Sequence, residues 1–326
     1  MRAMILAAGY GTRLWPLTID RAKPAIPFMG RPLVGYVAEY LGRYGFDDVV
    51  VNLHHRPESV RAALGDGSRF GVRLHYVEEP VILGTSGALD NARHLLEGAA
   101  FVVINGKLAT DIDLSAALDT HRRTGALATL VLRPNPARER YSVVETSGGF
   151  VTGFGGFPAS DKAGGPEAPL MFTGIQVFEP RVFEYIPRGV FSHSVTDVFI
   201  PAMARGERLA AHVSEGAWYE LSTIPRYLET SVALMKREGR DVELGPGSVI
   251  EEGAEVSESV LWENVTVRRG ARVRRAVLGA GVVVAEGEAV EDAAVVRAEL
   301  AAGEERPPKG LAGQVRGTNF VAPLPR

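Results

Sequence analysis

The stretch that decides the fold is Met4-Ile5-Leu6-Ala7-Ala8-Gly9-Tyr10-Gly11-Thr12-Arg13-Leu14-Trp15-Pro16-Leu17-Thr18, running on to Lys23-Pro24. The apolar run over residues 3–8 has the length of a buried strand, and Gly9 and Gly11 punctuate its end. Two glycines there let the backbone approach a ligand closely and aim N–H groups at an anion. Arg13 adds a fork of donors suited to phosphate oxygens, and Lys23 a second, compact positive charge. The pattern is not the dinucleotide fingerprint, because Leu14 stands where a third glycine is required. It is not a Walker phosphate loop either, since no Gly-Lys-Ser/Thr comes after it.

Taken whole, the string resembles the signature of the sugar-1-phosphate nucleotidyltransferases, the NDP-sugar pyrophosphorylases, and sits nearest their mannose-1-phosphate guanylyltransferase-like branch. The resemblance implies transfer of a nucleotidyl group from a nucleoside triphosphate to a sugar 1-phosphate, with release of pyrophosphate. It further implies that Arg13 and Lys23 act in catalysis. Leu6, Ala8, Gly9, Gly11 and Thr12 would bind the nucleotide, together with Gly84, Thr85, Asn105, Gly106 and Lys107. Tyr141, Thr173 and Gly174 would meet the sugar phosphate.

Working outward, apolar residues at helical spacing over 32–45 precede a strand at 48–53, a helix at 57–64 and a strand at 72–77. Gly84-Thr85-Ser86-Gly87 opens the next helix, with Thr85 or Ser86 as its candidate cap, and residues 100–104 form a further buried strand. A helix at 114–124, which Asp113 can cap, leads to a strand at 128–132. Such alternation predicts an α/β fold with a doubly wound, mostly parallel sheet, whose ligands lie at the carboxyl ends of the strands. By resemblance it is of the nucleotide-diphospho-sugar transferase type. From Tyr141 the pattern changes to short strands and glycine turns. A strand at 172–178 and helices at 196–204 and 224–238 come next.

Beyond residue 240 an internal repeat of about 17 residues sets in. Gly253, Gly270 and Gly287 share one phase, Ile250, Val267 and Val284 a second, Val256, Val273 and Val290 a third, and Leu261, Leu278 and Val295 a fourth. One coil per repeat suits a short, three-sided parallel β-helix, left-handed by resemblance to hexapeptide-type domains. Coils of that kind support oligomers, so a homo-oligomer through the β-helix is the assembly implied. The expected division is a nucleotidyltransferase domain at 1–240, the β-helix at 241–300 and a loosely ordered tail at 301–326. An acyltransferase working through the coils is disfavoured, because no histidine lies between Asp241 and Arg326 to serve as its base.

Composition narrows the field. The 326 residues are 46% apolar and 23% charged, ordinary for a water-soluble globular protein. A net charge of -3 gives no footprint for nucleic acid or a membrane surface. The absence of cysteine rules out disulfides and thiolate metal sites. No apolar run approaches the roughly 18 residues of a membrane span, and the N-terminal run is too short for a signal-peptide core. The expected location is cytoplasmic.

Three departures from the family pattern bear on activity. The family's Asn-Gly-Asp, whose aspartate binds Mg2+, reads Asn105-Gly106-Lys107 here, and a protonated lysine cannot ligate a metal. The family's second aspartate, in Trp-x-Asp-x-Gly-Thr, corresponds to Glu220 in Trp218-Tyr219-Glu220-Leu221-Ser222-Thr223. Its Glu-Lys-Pro appears as Gly156-Phe157-Pro158. One reading is an active enzyme in which Lys107 takes part of the cation's role and Glu220 with Asp111 holds Mg2+. The other is a nucleotide-sugar-binding regulator on the same scaffold, in which a fixed cation at position 107 favours anion binding without metal.

Overall fold

The computed structural model describes residues 1–139, 141–155 and 168–325; Gly156-Phe157-Pro158 lies outside the described residues. The chain divides into two compact units, one made of Met1–Ala8, Val37–His54 and Gly65–Trp218, the other of Gly9–Tyr36, His55–Leu64 and Tyr219–Arg326.

The first unit is built on a nine-stranded sheet. Its strands are β1 (Arg2–Leu6), β2 (Asp48–Leu53), β3 (Arg73–Glu78), β4 (Phe101–Asn105), β5 (Ala128–Pro134), β6 (Val143–Ser147), β7 (Phe150–Phe154), β8 (Leu170–Phe178) and β9 (Leu209–Val213). They lie in the order β3-β2-β1-β4-β8-β5-β9-β7-β6. Strands β3, β2, β1 and β4 are mutually parallel. The near-continuous apolar content of β1, β2 and β4 reflects burial on both faces, whereas β3 is the edge strand and buries only Leu74. Strand β8 then runs antiparallel to both β4 and β5, so the sheet is mixed beyond its parallel half.

From β1 the chain first builds outward through β2 and β3, then returns to place β4 on the other side. The β1–β4 boundary is therefore a switch point, where a crevice opens beyond the carboxyl ends of the strands. A stack of Phe101, Phe178, Phe183 and Phe199, with centroids 5.4 to 5.9 Å apart, anchors the core beneath β4 and β8. Helix Leu114–Thr124 begins at Asp113, whose carboxylate accepts from Ser115 N at 2.9 Å, so the capping role expected for Asp113 is present.

The second unit contains the loop Gly9–Tyr36, helix Pro57–Leu64, helix Ile224–Arg237 and the repeats. Every parallel pairing among the repeats joins residues one repeat apart: Ile250 with Val267 and Val267 with Val284, Val256 with Val273 and Val273 with Val290, Leu261 with Leu278 and Leu278 with Val295. These fall in three columns of strands, so the phases visible in the sequence are the sides of a parallel β-helix. Gly253, Gly270 and Gly287 occupy left-handed corners (φ 82°, 69° and 70°), where a glycine meets no Cβ penalty. Another corner is taken by Glu258, Arg275 and Asp292, also at positive φ, with Arg275 Nε 2.9 Å from Asp292 Oδ1. Arg268 likewise reaches Glu251 of the preceding coil at 2.8 Å.

The tail departs from expectation. Asn319–Pro323 is an antiparallel strand on the last coil, Val321 facing Val295, with Gln314–Arg316 paired to its outer edge. The cause is the open flank of the last coil: its unpaired backbone groups and apolar column would otherwise meet water. Val321 and Ala322 are buried there.

The middle coil should respond sharply to position. Val273, 1% exposed between Val256 and Val290, should cost about 2–3 kcal/mol when replaced by alanine. Its exposed neighbour Arg272 should cost under about 0.5 kcal/mol. Urea unfolding of Val273→Ala and Arg272→Ala checks this, and equal midpoints would contradict the column assignment.

Candidate active site

At the switch point, Leu6 of β1 lies opposite Asn105 of β4, and Gly106 N donates to Leu6 O at 2.9 Å. A buried polar chain fixes the segments just beyond the strand ends. Ala7 N donates to Asn52 Oδ1 at 2.7 Å, Asn52 Nδ2 to Glu79 Oε1 at 2.6 Å, and Leu83 N to Glu79 Oε2 at 2.9 Å. Asn52 and Glu79 are each 3% exposed. Both ends of one amide and both oxygens of one carboxylate are thus spent tying the segments after β1 and β3 to the end of β2. Buried polar groups satisfied in this way are rigid, and costly to disturb.

Leu83 leads into helix Gly84–Asn91. The helix carries no side-chain cap, contrary to the expectation for Thr85 or Ser86. Segment 190–194 lies across its first turn instead: Ser86 N and Gly87 N donate to Ser192 O at 3.1 and 3.4 Å, and Ser192 N donates to Leu83 O at 2.9 Å. A Cβ on Gly84 would lie 2.4 Å from Ser192 O, and Gly84 has φ +77°, so glycine is required twice over. Thr85 Oγ1 accepts from Ser194 N at 2.8 Å, pinning the same segment.

Across the sheet, β8 bulges between Phe172 and Gln176. Gly174 sits in the bulge at φ +83°, and a Cβ there would lie 2.1 Å from Asn105 Nδ2. The Thr173 hydroxyl is spent within the protein, donating to Val131 O at 2.7 Å. Thr173 O accepts from Trp218 Nε1 at 2.9 Å, and the Trp218 ring meets Tyr141 edge-on at 5.4 Å. Asp111 Oδ1 accepts from Ala217 N at 2.6 Å.

Leu6, Thr85, Asn105, Phe172, Gln176 and His193 line one cavity of about 730 Å³ in this unit. Three of these were expected at the site from sequence; Phe172, Gln176 and His193 were not. Gln176 is 3% exposed, and its Oε1 has no partner among the described residues. Asn52, Glu79 and Gln176 shared one legible signal, a polar side chain in or next to an apolar strand run.

In the second unit, the signature loop folds back on itself. Gly11 is left-handed (φ +68°), its carbonyl accepts from Leu14 N at 2.8 Å, and a Cβ on it would lie 2.9 Å from Lys23 Cβ. Gly11 and Lys23 are therefore in contact. Leu14 is buried and anchors the short turn Thr12–Leu14, leaving Arg13 exposed. A Cβ on Gly9 would meet nothing within 4 Å, so the protein itself makes no demand for glycine there. Glu220 Oε2 accepts from Ser222 Oγ at 3.1 Å, with Arg226 Nη1 4.0 Å away. Glu220 and Asp111 belong to different units. Among the described residues no group of three or more His, Cys, Asp or Glu side chains is placed to hold a metal ion.

Residues 2–237 match the family described as nucleotidyl transferase. The chain belongs to the nucleotidyl transferase family. Residues 238–297 match the GlmU-like C-terminal hexapeptide family, which agrees with the coils. Among the relatives of this nucleotidyl transferase is a UTP–glucose-1-phosphate uridylyltransferase of Synechocystis, 32% identical over 82% of this chain and 72% of that one. An N-acetylmuramate α-1-phosphate uridylyltransferase of Neisseria meningitidis is 33% identical over 70% of this chain and 96% of its own. A mannose-1-phosphate guanylyltransferase of Mycobacterium tuberculosis is 30% identical over 72% and 64%. The fold is that of a glucose-1-phosphate thymidylyltransferase structure from Bacillus anthracis, with TM-score 0.61 and 23% identity over 76% of this chain and 98% of that one.

Two substitutions test this geometry. Asn52→Leu strands Ala7 N–H and one Glu79 oxygen, and should cost about 2–4 kcal/mol in urea unfolding; a change under about 0.5 kcal/mol would refute the network's role. Gly11→Ala forces both a strained φ and a clash with Lys23, and should weaken nucleoside triphosphate binding by about tenfold or more. Calorimetric titration measures it, and unchanged affinity would show the contact to be incidental.

Proposed function

We propose that this nucleotidyl transferase joins a sugar 1-phosphate to a nucleoside triphosphate. The observation that carries the reading is the signature loop, folded so that Gly11 backs directly onto Lys23 while Arg13 faces solvent. A sugar-phosphate oxygen attacks the α-phosphorus, the bond to the β-phosphate oxygen breaks, and pyrophosphate leaves with that electron pair. Such a displacement needs positioning and charge neutralisation more than covalent help from the protein. We assign the triphosphate to Gly9, Gly11, Thr12 and Arg13 with Lys23 at the reacting phosphate, and the base and ribose to Gly84, Thr85 and the residues from Leu6 to Ala8.

Asn105, Gly106 and Lys107 complete the nucleotide side of the assignment, and the part of the cavity lined by Phe172 and Gln176 suits a sugar ring, with a ring face to meet its apolar face and an amide to meet its hydroxyls. Tyr141, Thr173 and Gly174 form the sugar-phosphate side of that assignment. Because the Thr173 hydroxyl is already engaged, Thr173 contributes through the shape of the bulge.

Nucleotidyltransferases of this family typically work with a divalent cation. A magnesium ion needs only one or two protein carboxylates beside substrate phosphates and water, and Glu220 and Asp111 are the candidates. We assign them to it. Bound there, the ion would supply further neutralisation of phosphate charge. Lys107 carries a fixed positive charge where the family has an aspartate, and this observation favours a second reading, a binding protein that holds a nucleotide sugar without turnover. The domain division at residues 240 and 300, self-association through the β-helix and a cytoplasmic location complete the proposal.

Pyrophosphate release across the common nucleoside triphosphates and sugar 1-phosphates, with and without Mg2+, decides between the readings. Turnover is expected, falling about a hundredfold or more in kcat/KM for Lys23→Ala. Absence of turnover, with a nucleotide sugar still bound and activity gained by Lys107→Asp, would establish the regulator instead.

A further inference from the structure

The signature loop contains a charged residue that the proposed chemistry leaves unassigned. Arg21, two positions before Lys23, has a side chain only 18% exposed. Its Nε and Nη2 donate to the two oxygens of Asp20 at 3.0 and 3.1 Å, and Nη2 also reaches Glu263 Oε1 at 2.7 Å. The guanidinium carbon lies over the Trp262 ring, 4.9 Å from its centroid. A planar donor fork satisfied at its edge and stacked on its face is held much more firmly than a solvated lysine would be.

Trp262 and Glu263 come directly after Leu261, the residue that fills one buried column of the β-helix. Trp262 N donates to Leu278 O, and Gly281 N donates to Glu263 O, both at 2.9 Å, so the coil backbone fixes the pair. Trp262 is itself buried, and its Nε1 donates to Tyr227 Oη at 3.1 Å, whose hydroxyl in turn donates to Pro27 O at 2.5 Å. The tail reaches the same loop. Leu311 N donates to Trp15 O at 3.3 Å, and the Trp15 ring packs edge-on against Phe320 at 5.3 Å. Loop residues 15 and 21 are thus tied directly to C-terminal elements, and residue 27 through Tyr227.

We propose that the β-helix and tail form a splint for the phosphate loop, and that Arg21 is the positioning residue through which coil residues Trp262 and Glu263 set Lys23. This rests on the nucleotidyl-transfer reading for its kinetic consequence, though not for its effect on nucleotide affinity. Gly11 packs on Lys23, so movement at Arg21 would be felt at both residues assigned to the phosphates. The hexapeptide coils then serve the active site from within one chain, whatever assembly they also support.

The test uses full-length Arg21→Met, Glu263→Gln and the double variant, with Arg21→Lys as the conservative control. Urea unfolding, nucleoside triphosphate affinity by titration, and kinetics for each substrate are measured on all four. Arg21→Met should weaken nucleoside triphosphate binding and lower kcat by about tenfold, while the KM for sugar 1-phosphate changes less than about twofold. Glu263→Gln, whose side chain is 32% exposed, should move the same parameters in the same direction. The double variant should lose less than the product of the two effects, because both break one contact. Arg21→Lys should recover only part of the loss, since a lysine cannot fork or stack.

Wild-type affinity and kcat in both Arg21→Met and Glu263→Gln would overturn the splint, as would equal losses for the two substrates tracking lost stability. If the natural protein binds nucleotide without turning it over, the reaction reading fails and affinity alone decides the splint. A natural protein that binds no nucleotide would overturn both.

Discussion

The bond from Asn52 Nδ2 to Glu79 Oε1 is the constraint on which the first unit's site depends. Parallel strands deliver their ends to one rim but leave the residues beyond them free to wander. Here one amide and one carboxylate, both buried, consume the backbone N–H groups of Ala7 and Leu83. The segments that must meet a ligand therefore start from fixed points. The cost of burying a carboxylate is met by the number of donors around it, and this makes the arrangement specific as well as rigid.

The bulge in β8 obeys the same logic by other means. Gly174 yields space that Asn105 occupies, and the engaged Thr173 hydroxyl holds the distorted backbone in place. In the second unit, Gly11 yields space to Lys23 in the same way. In each case a glycine at positive φ brings a polar or charged residue closer than any side chain would allow. Rigid neighbours rather than catalytic groups account for most of the residue identities at the site.

Much of this was legible in the sequence because it is periodic or punctuated. Strand β1 and the glycines after it, the parallel half of the sheet and the repeat phases all rest on hydrophobic period or on glycine, both local signals. The capping of helix Gly84–Asn91 by Ser192 was not legible, since a carbonyl more than a hundred positions away leaves no trace in the capping residues. Nor was the ordered tail: its proline content argues for looseness, whereas its strand answers an open edge elsewhere in the chain. Gln176 and Glu79 stood in plain view as polar residues in or beside apolar runs, but only tertiary contact separates a satisfied carboxylate from an orphaned amide oxygen.

The ion pairs between coils carry a consequence beyond holding the turns together. The first coil bears Glu251, Glu252, Glu255 and Glu258, the second Arg268, Arg269, Arg272, Arg274 and Arg275, and the third Glu286, Glu288, Glu291 and Asp292. Neighbouring coils thus attract, while the first and third carry the same sign. Two molecules brought together end to end, first coil onto third, would set acid against acid where Glu252 meets Glu286 and where Glu258 meets Asp292. An open stack of parallel coils is a template for endless fibre growth. The alternation of sign, with the tail strand laid over the last coil's flank, lets the solenoid stop where it does.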